Sequence, residues 1–494
     1  MNLKLDEWII EADISSMQVA LESGRLSSEE LVTVYMERIR KYDSTLKTIL
    51  ELNPDALQIA KALDQERKEQ GSRGPLHGIP ILLKDNIDTH DNMHTSAGSI
   101  ALAESFAAED SFVAAQLRAA GAILLGKANM TEWANFMSPT MWAGYSSRGG
   151  LVLNPYGPGE LFVSGSSSGS AAAVAANLSA AAIGTETAGS IICPASSHFL
   201  VGIKPTVGLV SRSGIIPITY SQDTAGPMAR TVKDAAILLG ALTGVDERDE
   251  LTLASKDRYY TDYTPFLDAS YLKHARIGIP RFYYSSLDEE RLVLMEAAIE
   301  TLRNEGATII DPISLPCDEV NWSNQVLRYE FKKYVNDYLA KLPESAPVHS
   351  IQDVIAFNEQ HADVALKYGQ DILIWSEQTS GTLSEQEYLD SLQQNLEFAR
   401  AQGMDYVLQK YELDALMLPG NYNGSVLAAR AGYPIITVPA GYTTQGITDP
   451  EGGFSTKGPF GVAFSGTAYS EPTLIKIAYG YEQATLHRVP PTMD

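Results

Sequence analysis

The sequence predicts an α/β protein, a single large domain built on a central mixed sheet that is largely buried. Two observations predict this class. Short apolar runs (GIPILLK, AILLGK, AAAIGT, LVGIKPT) alternate with helical stretches (SFVAAQLRAAG, SAAAVAANL), the texture of crossover units whose helices cover a sheet. Strand texture also returns late, in DALMLPG (414–420) and YPIITVPAGY (433–442). The block at 285–413 therefore reads as a mainly helical insertion over one sheet, within one domain spanning 1–494.

The elements follow in order. Residues 12–42 read as helices, with Ser27 and Glu30 forming a capping box ahead of LVTVYMERIRKY. ALQIAKALDQERKEQG is a further helix, closed by Gly71. The strand and helix alternation comes next, and then long helices such as RLVLMEAAIETLRNEG. A second capping box, Ser384 with Glu387, is expected to start YLDSLQQNLEFARAQG. SEPTLIKIAYGYEQATLH closes the chain as a helix with Ser470 as its N-cap.

Composition narrows the function classes. With 45% hydrophobic and 20% charged residues over 494 positions, the chain is an ordinary globular protein. It has no apolar run of the length that spans a bilayer. The start, MNLKLDEWIIEADISS, carries Asp6 and Glu7 and no apolar core, so no signal peptide is expected. Cys193 and Cys317 are the two cysteines, without metal-type spacing, which fits a reducing cytoplasm. A net charge of −24, from 37 basic and 61 acidic residues, repels nucleic acid and anionic membranes, so neither is an expected partner.

Several motifs compete for the chemistry. GAILLGK (121–127) fits part of a phosphate-binding loop, but Ala128 stands where Mg²⁺ needs a hydroxyl and the intervening residues read as a strand. Gly165-Ser-Ser-Ser-Gly169 fits a nucleophile elbow with Ser167 at its centre. That reading needs a histidine downstream; of His198, His274, His349, His361 and His487, His487 is the best placed. Cys193 has no identifiable base and reads as a small core residue. His90 and His94 lie in a loop-like stretch and do not suggest a metal site, and neither metal nor cofactor is expected.

A third set combines Lys84, Ser166 and Ser190. Amide cleavage needs an activated nucleophile, donors for an oxyanion and a proton for the leaving amine. The small residues of TETAGSIICPAS let the backbone amides of Thr187, Ala188, Gly189 and Ser190 converge on one point. Lys84 serves as a base only when neutral; being half-neutral at pH 8 means losing about 3.3 kcal/mol of preference for its charged form. Burial at the end of IPILL is an environment that does this, whereas a lysine simply capping the strand in solvent would stay charged.

GSSSGSAAAVAANLSAAAIGTETAGSIICPAS, beginning at Gly165, closely resembles the signature of the amidase signature family. GIPILLKDNI, LGKANMTEWANF, VGIKPTVGLVSRSGIIPITYSQDTAGPMARTVKDAA and PFGVAFSGTAYSEPTLIKIAY resemble its flanking segments, giving a signature core at 75–240. The resemblance implies a sheet with helices on both faces and a Ser-Ser-Lys triad: nucleophile Ser190, bridging serine Ser166 after a cis peptide bond, and base Lys84. Ala188-Gly189 replaces the usual Gly-Gly, and Ile192 replaces an arginine. WANFMS and YSSRGG look most like the peptide amidase branch, which releases ammonia from C-terminal peptide amides. The expected partner is a small-molecule or peptide amide, bound by a monomer or homodimer. The expected substrate contacts are Met137, Ser138, Ser167, Asn421 and Tyr422.

Overall fold

The computed structural model describes residues 5–447 and 454–493. Residues 1–4, where the segment judged against a signal peptide begins, lie outside them. In chain order the strands are β1 (Ile49–Leu52), β2 (Pro80–Lys84), β3 (Ile123–Ala128), β4 (Tyr145–Ser146), β5 (Gly150–Leu151), β6 (Ala181–Glu186) and β7 (Val201–Lys204). They continue with β8 (Thr224–Ala229), β9 (Arg276–Pro280), β10 (Thr308–Ile313), β11 (Ala415–Pro419), β12 (Ile435–Thr443) and β13 (Gly458–Ser465).

Eleven of these strands, among the described residues, make one mixed sheet in the order β1-β3-β2-β6-β8-β7-β12-β13-β11-β9-β10; β4 and β5 pair apart. The chain is thus an α/β protein with a single large sheet. Strands β2, β3, β6, β8, β11 and β13 are buried at every residue, which requires cover on both faces. The edge strands β1 and β10 carry partly exposed residues.

Local signals place most helices. Ser27 Oγ accepts from Glu30 N at 3.1 Å, and the Glu30 carboxylate accepts from Ser27 N at 2.8 Å, so the first capping box forms. Gly71 ends the helix Ala56–Gln70. The second box does not form. The helix Gln386–Ala399 starts after Glu385 without a side-chain cap; Ser384 Oγ pairs with Thr382 Oγ1 at 2.7 Å, and Glu387 accepts from the Tyr329 hydroxyl at 2.9 Å. Glu471–Thr485 begins where expected, but Ser470 Oγ donates backward to Thr467 O at 2.6 Å instead of capping the helix.

The block at 285–413 is mainly helical but also contributes β10, parallel to β9. Its helix Gln325–Leu339 brings Phe331, Val335 and Leu339 against Trp133, Ile216 and Ile218 in a second apolar core, separate from the large one around the sheet. GAILLGK forms β3 rather than a loop, with Gly126 paired to Leu52 of β1.

Candidate active site

Lys84 ends β2, which runs parallel to β6 with Leu83 beside Ile183. Both strands therefore finish on the same side of the sheet, the usual place for a site in α/β proteins. The Lys84 side chain is fully buried, with Nζ 2.8 Å from Ser166 Oγ and 3.1 Å from the carbonyl oxygen of Thr185 at the end of β6. A carbonyl only accepts, so Nζ donates to Thr185. A neutral amine keeps a lone pair for the Ser166 proton.

Ser166 reaches this position through the helix Ser168–Ala175. Its sequence, SGSAAAVA, is small enough to be buried on every side against the sheet. The Gly165–Ser166 peptide is cis, and the Ser166 carbonyl accepts from Thr131 N at 3.0 Å. Gly165 admits no side chain: a Cβ there would lie 2.4 Å from Thr131 Oγ1.

Burial pulls Lys84 down to about 7, against the Asp223 and Glu186 carboxylates, which favour its charged form. Burial likewise pushes Asp223 above the usual carboxylate range, opposed by the hydrogen bonds it accepts.

Ser190 is tied to the serine segment by Ser167 N donating to Ser190 O at 3.2 Å. Among the described residues its hydroxyl has no hydrogen-bond partner, and none of the backbone N–H groups from Thr187 to Ser190 donates to a protein acceptor. Gly189 turns the loop with φ +83°.

Three side chains hold this loop that the sequence did not single out. Glu186 Oε2 accepts from Ile191 N at 2.7 Å and Ile192 N at 2.9 Å, pinning the backbone just past Ser190. Asp223 accepts from the Thr187 hydroxyl at 2.5 Å and from the N–H groups of Ile218 and Thr219. Gln222 Nε2 donates to Thr187 O at 3.3 Å. The acidic position of G-T-E-T was visible in the sequence, as was the acid in YSQDTAG, but only the fold shows which N–H groups they meet. Ile192 is fully buried in the main core, and Glu186 Oε1 has no hydrogen-bond partner among the described residues.

The remaining sequence candidates fall in different places. Ser167 is fully buried and its hydroxyl donates to Thr185 O at 3.1 Å, with no histidine bonded to it among the described residues. Met137 is fully buried in the second core, and Ser138 Oγ lies 3.1 Å from Thr140 Oγ1. Asn421 caps the helix Tyr422–Ala431 through Gly424 N, and both Asn421 and Tyr422 line a cavity of about 280 Å³ with Ser164 and Cys193. A Cβ on Gly189 would sit 3.4 Å from the Tyr422 ring, so that cavity flanks the Ser190 loop. Burial pushes the Cys193 thiol up, leaving it protonated at neutral pH. His94 pairs with Glu51 at 3.0 Å, and His90 Nδ1 lies 3.2 Å from Ala107 O.

A larger cleft of about 380 Å³ opens onto the loop through Thr185, Glu186, Thr187 and Asp223. Ala134, Ile215, Pro217, Ile218, Tyr334 and Tyr338 give it apolar walls. Among the described residues no helix is long and apolar enough to cross a membrane.

The amidase family's sequence profile matches residues 30–475. A protein of Arabidopsis thaliana named "probable amidase" is 44% identical, over 98% of this chain and 92% of its own length. The structure of native peptide amidase from Stenotrophomonas maltophilia superposes with a TM-score of 0.88 at 42% identity, covering 98% of this chain and 99% of that one. A glutamyl-tRNA(Gln) amidotransferase subunit from Halorhodospira halophila is 39% identical over 61% of this chain and 60% of its own length. The chain belongs to the amidase signature family and is an amide-hydrolysing enzyme.

Proposed function

We propose that the enzyme cleaves C-terminal peptide amides to acid and ammonia through a Ser190–Ser166–Lys84 triad. The observation that carries this reading is Lys84 Nζ, buried and drawn to about 7, lying 2.8 Å from Ser166 Oγ. Neutral Lys84 takes the Ser166 proton as Ser166 takes that of Ser190, and Ser190 Oγ adds to the amide carbonyl. The free N–H groups of Thr187 to Ser190 receive the oxyanion. The relay reverses to protonate the leaving nitrogen, the C–N bond breaks and ammonia departs. Water then adds to the acyl-enzyme, gives its proton to the same relay, and the ester bond to Ser190 breaks.

The full-length similarity to a peptide amidase and the apolar cleft beside Thr187 support a peptide on the acyl side. We assign Asn421 and Tyr422 to the opposite flank. The charge of −24 and the unpaired Cys193 and Cys317 favour a cytoplasmic enzyme that acts without nucleic acid or membrane, as a monomer or homodimer.

A second reading, ammonia release from glutamine within an amidotransferase, is favoured only by the partial match to one of its subunits. Ammonia release decides between them, measured on a blocked dipeptide amide, glutamine, asparagine and an aryl amide. The dipeptide amide should be cleaved by wild type and by Ser167→Ala but not by Ser190→Ala. Cleavage of glutamine or of the aryl amide alone would move the enzyme to another branch. Silence on every substrate, with no labelling by a serine-directed acylating reagent, would make it an inactive homologue.

A further inference from the structure

The loop at 218–223 carries the two side chains that hold Thr187, and it is itself held from outside the site. Glu330 lies on the helix Gln325–Leu339 of the helical block and is buried at 2% exposure. Its Oε2 accepts from Tyr220 N at 2.9 Å, Ser221 N at 3.0 Å and Ser221 Oγ at 2.9 Å. Its Oε1 accepts from the Tyr388 hydroxyl at 2.9 Å. One turn further along the helix, Tyr334 stacks on Tyr220 with ring centroids 5.2 Å apart. On the loop's other side the Arg212 guanidinium lies 4.3 Å from the Tyr220 ring centroid and donates to the Tyr220 carbonyl.

We infer that Glu330 is a positioning residue for the oxyanion loop, acting through Tyr220–Asp223 on Thr187. The inference rests on the Ser190 reading. A buried carboxylate that accepts several bonds from one loop fixes that loop tightly, because bonds to a charged acceptor are stronger than neutral ones. The next two residues, Gln222 and Asp223, then grip the carbonyl and hydroxyl of Thr187. Thr187 begins the run of free N–H groups, so an error in the loop becomes an error in where those donors point. Such donors act on the transition state far more than on the bound substrate. Glu330 should therefore set turnover and leave substrate affinity alone, although it touches neither substrate nor the triad.

The test compares wild type, Glu330→Leu, Glu330→Gln and Tyr329→Phe on a blocked dipeptide amide, with kcat and KM separated. Affinity for the matching peptide aldehyde, which forms a tetrahedral adduct with the nucleophile, and the melting temperature are read alongside. Tyr329→Phe removes a neighbouring bond on the same helix, to Glu387, and serves as the structural control. Glu330→Leu should lose about 10- to 100-fold in kcat and a similar factor in aldehyde affinity, with KM within about twofold. Glu330→Gln, which keeps one carbonyl acceptor, should fall between. Tyr329→Phe should shift only the melting temperature.

If Glu330→Leu does not fold, Glu330→Gln decides. Folded Glu330 variants with wild-type kcat and aldehyde affinity, or with losses confined to KM, overturn the inference while leaving the Ser190 reading intact. A wild type that neither cleaves the amide nor binds the aldehyde overturns that reading, and this inference with it.

Discussion

The Thr187 hydroxyl donates to Asp223 across 2.5 Å, so the first residue of the oxyanion loop is anchored by a carboxylate that also bears electrostatically on Lys84. The two roles separate by mutation. Thr187→Val removes the anchor but keeps the charge; it should lower kcat about tenfold without moving the pH profile. Asp223→Asn removes a negative charge that favours protonated Lys84. It should lower kcat and also shift the rising limb of the profile to lower pH. Identical profiles for both variants would detach Asp223 from Lys84.

The profile itself follows from the base. Lys84 works as a base only without its proton, and its pKa lies near 7. With chemistry limiting, kcat/KM should climb about tenfold per pH step below 7 and level off on the alkaline side. A flat response from pH 6 to 9 would remove lysine from the role. Lys84→Ala should fold and lose amide hydrolysis by several orders of magnitude.

The same burial has a stability cost. In the unfolded chain Lys84 titrates near its ordinary value of about 10.4, so between the folded value of about 7 and that point unfolding takes up a proton. Stability therefore rises with pH across this window. Lys84→Met, lacking the amine, should be inactive yet more stable by about 1–2 kcal/mol at pH 7. Its advantage should shrink toward pH 10, as thermal unfolding at a series of pH values would show.

Gly189 gives a further check. Its φ of +83° disfavours a side chain, and an added Cβ would come within 2.8 Å of Cys193 Sγ and 3.0 Å of Ser425 Oγ. Gly189→Ala should lose about 1–3 kcal/mol of stability and most of its turnover, since the shift needed to admit the methyl falls on the loop holding Ser190. Ala188→Gly, at a partly exposed neighbour, should do little.

Much of this architecture could be read from residue patterns. The runs IPILLK, AILLGK and AAAIGT became β2, β3 and β6 because uninterrupted apolar residues suit strands buried on both faces. Strand β8 was not legible. TAGPMA is rich in residues that strands disfavour, and Pro227 lies just past the end of its pairing with β7, at Gly202 and Met228. The proline in TIIDPI similarly hid β10, an edge strand with exposed positions. Ser384 and Glu387 have the spacing of a capping box, but their partners Thr382 and Tyr329 compete for the same side chains. At the site, Lys84, Ser166 and Ser190 stood out because their surroundings are unusual. Glu186, Asp223 and Glu330 act on backbone N–H groups, and a sequence does not show which N–H groups a carboxylate will reach.

The strand order carries a consequence for how the chain is made. Strand β7, complete by Lys204, finds its second neighbour in β12, which begins only at Ile435. During synthesis, the half of the sheet bearing Lys84, Ser166 and Ser190 thus emerges with an open hydrogen-bonding edge. It waits for more than two hundred residues before that edge is covered. Unpaired edges of this kind recruit other strands. Chains released early, before β12 and β13 exist, should therefore aggregate rather than persist as small active fragments, so the last strands to leave the ribosome decide whether the first ones stay soluble.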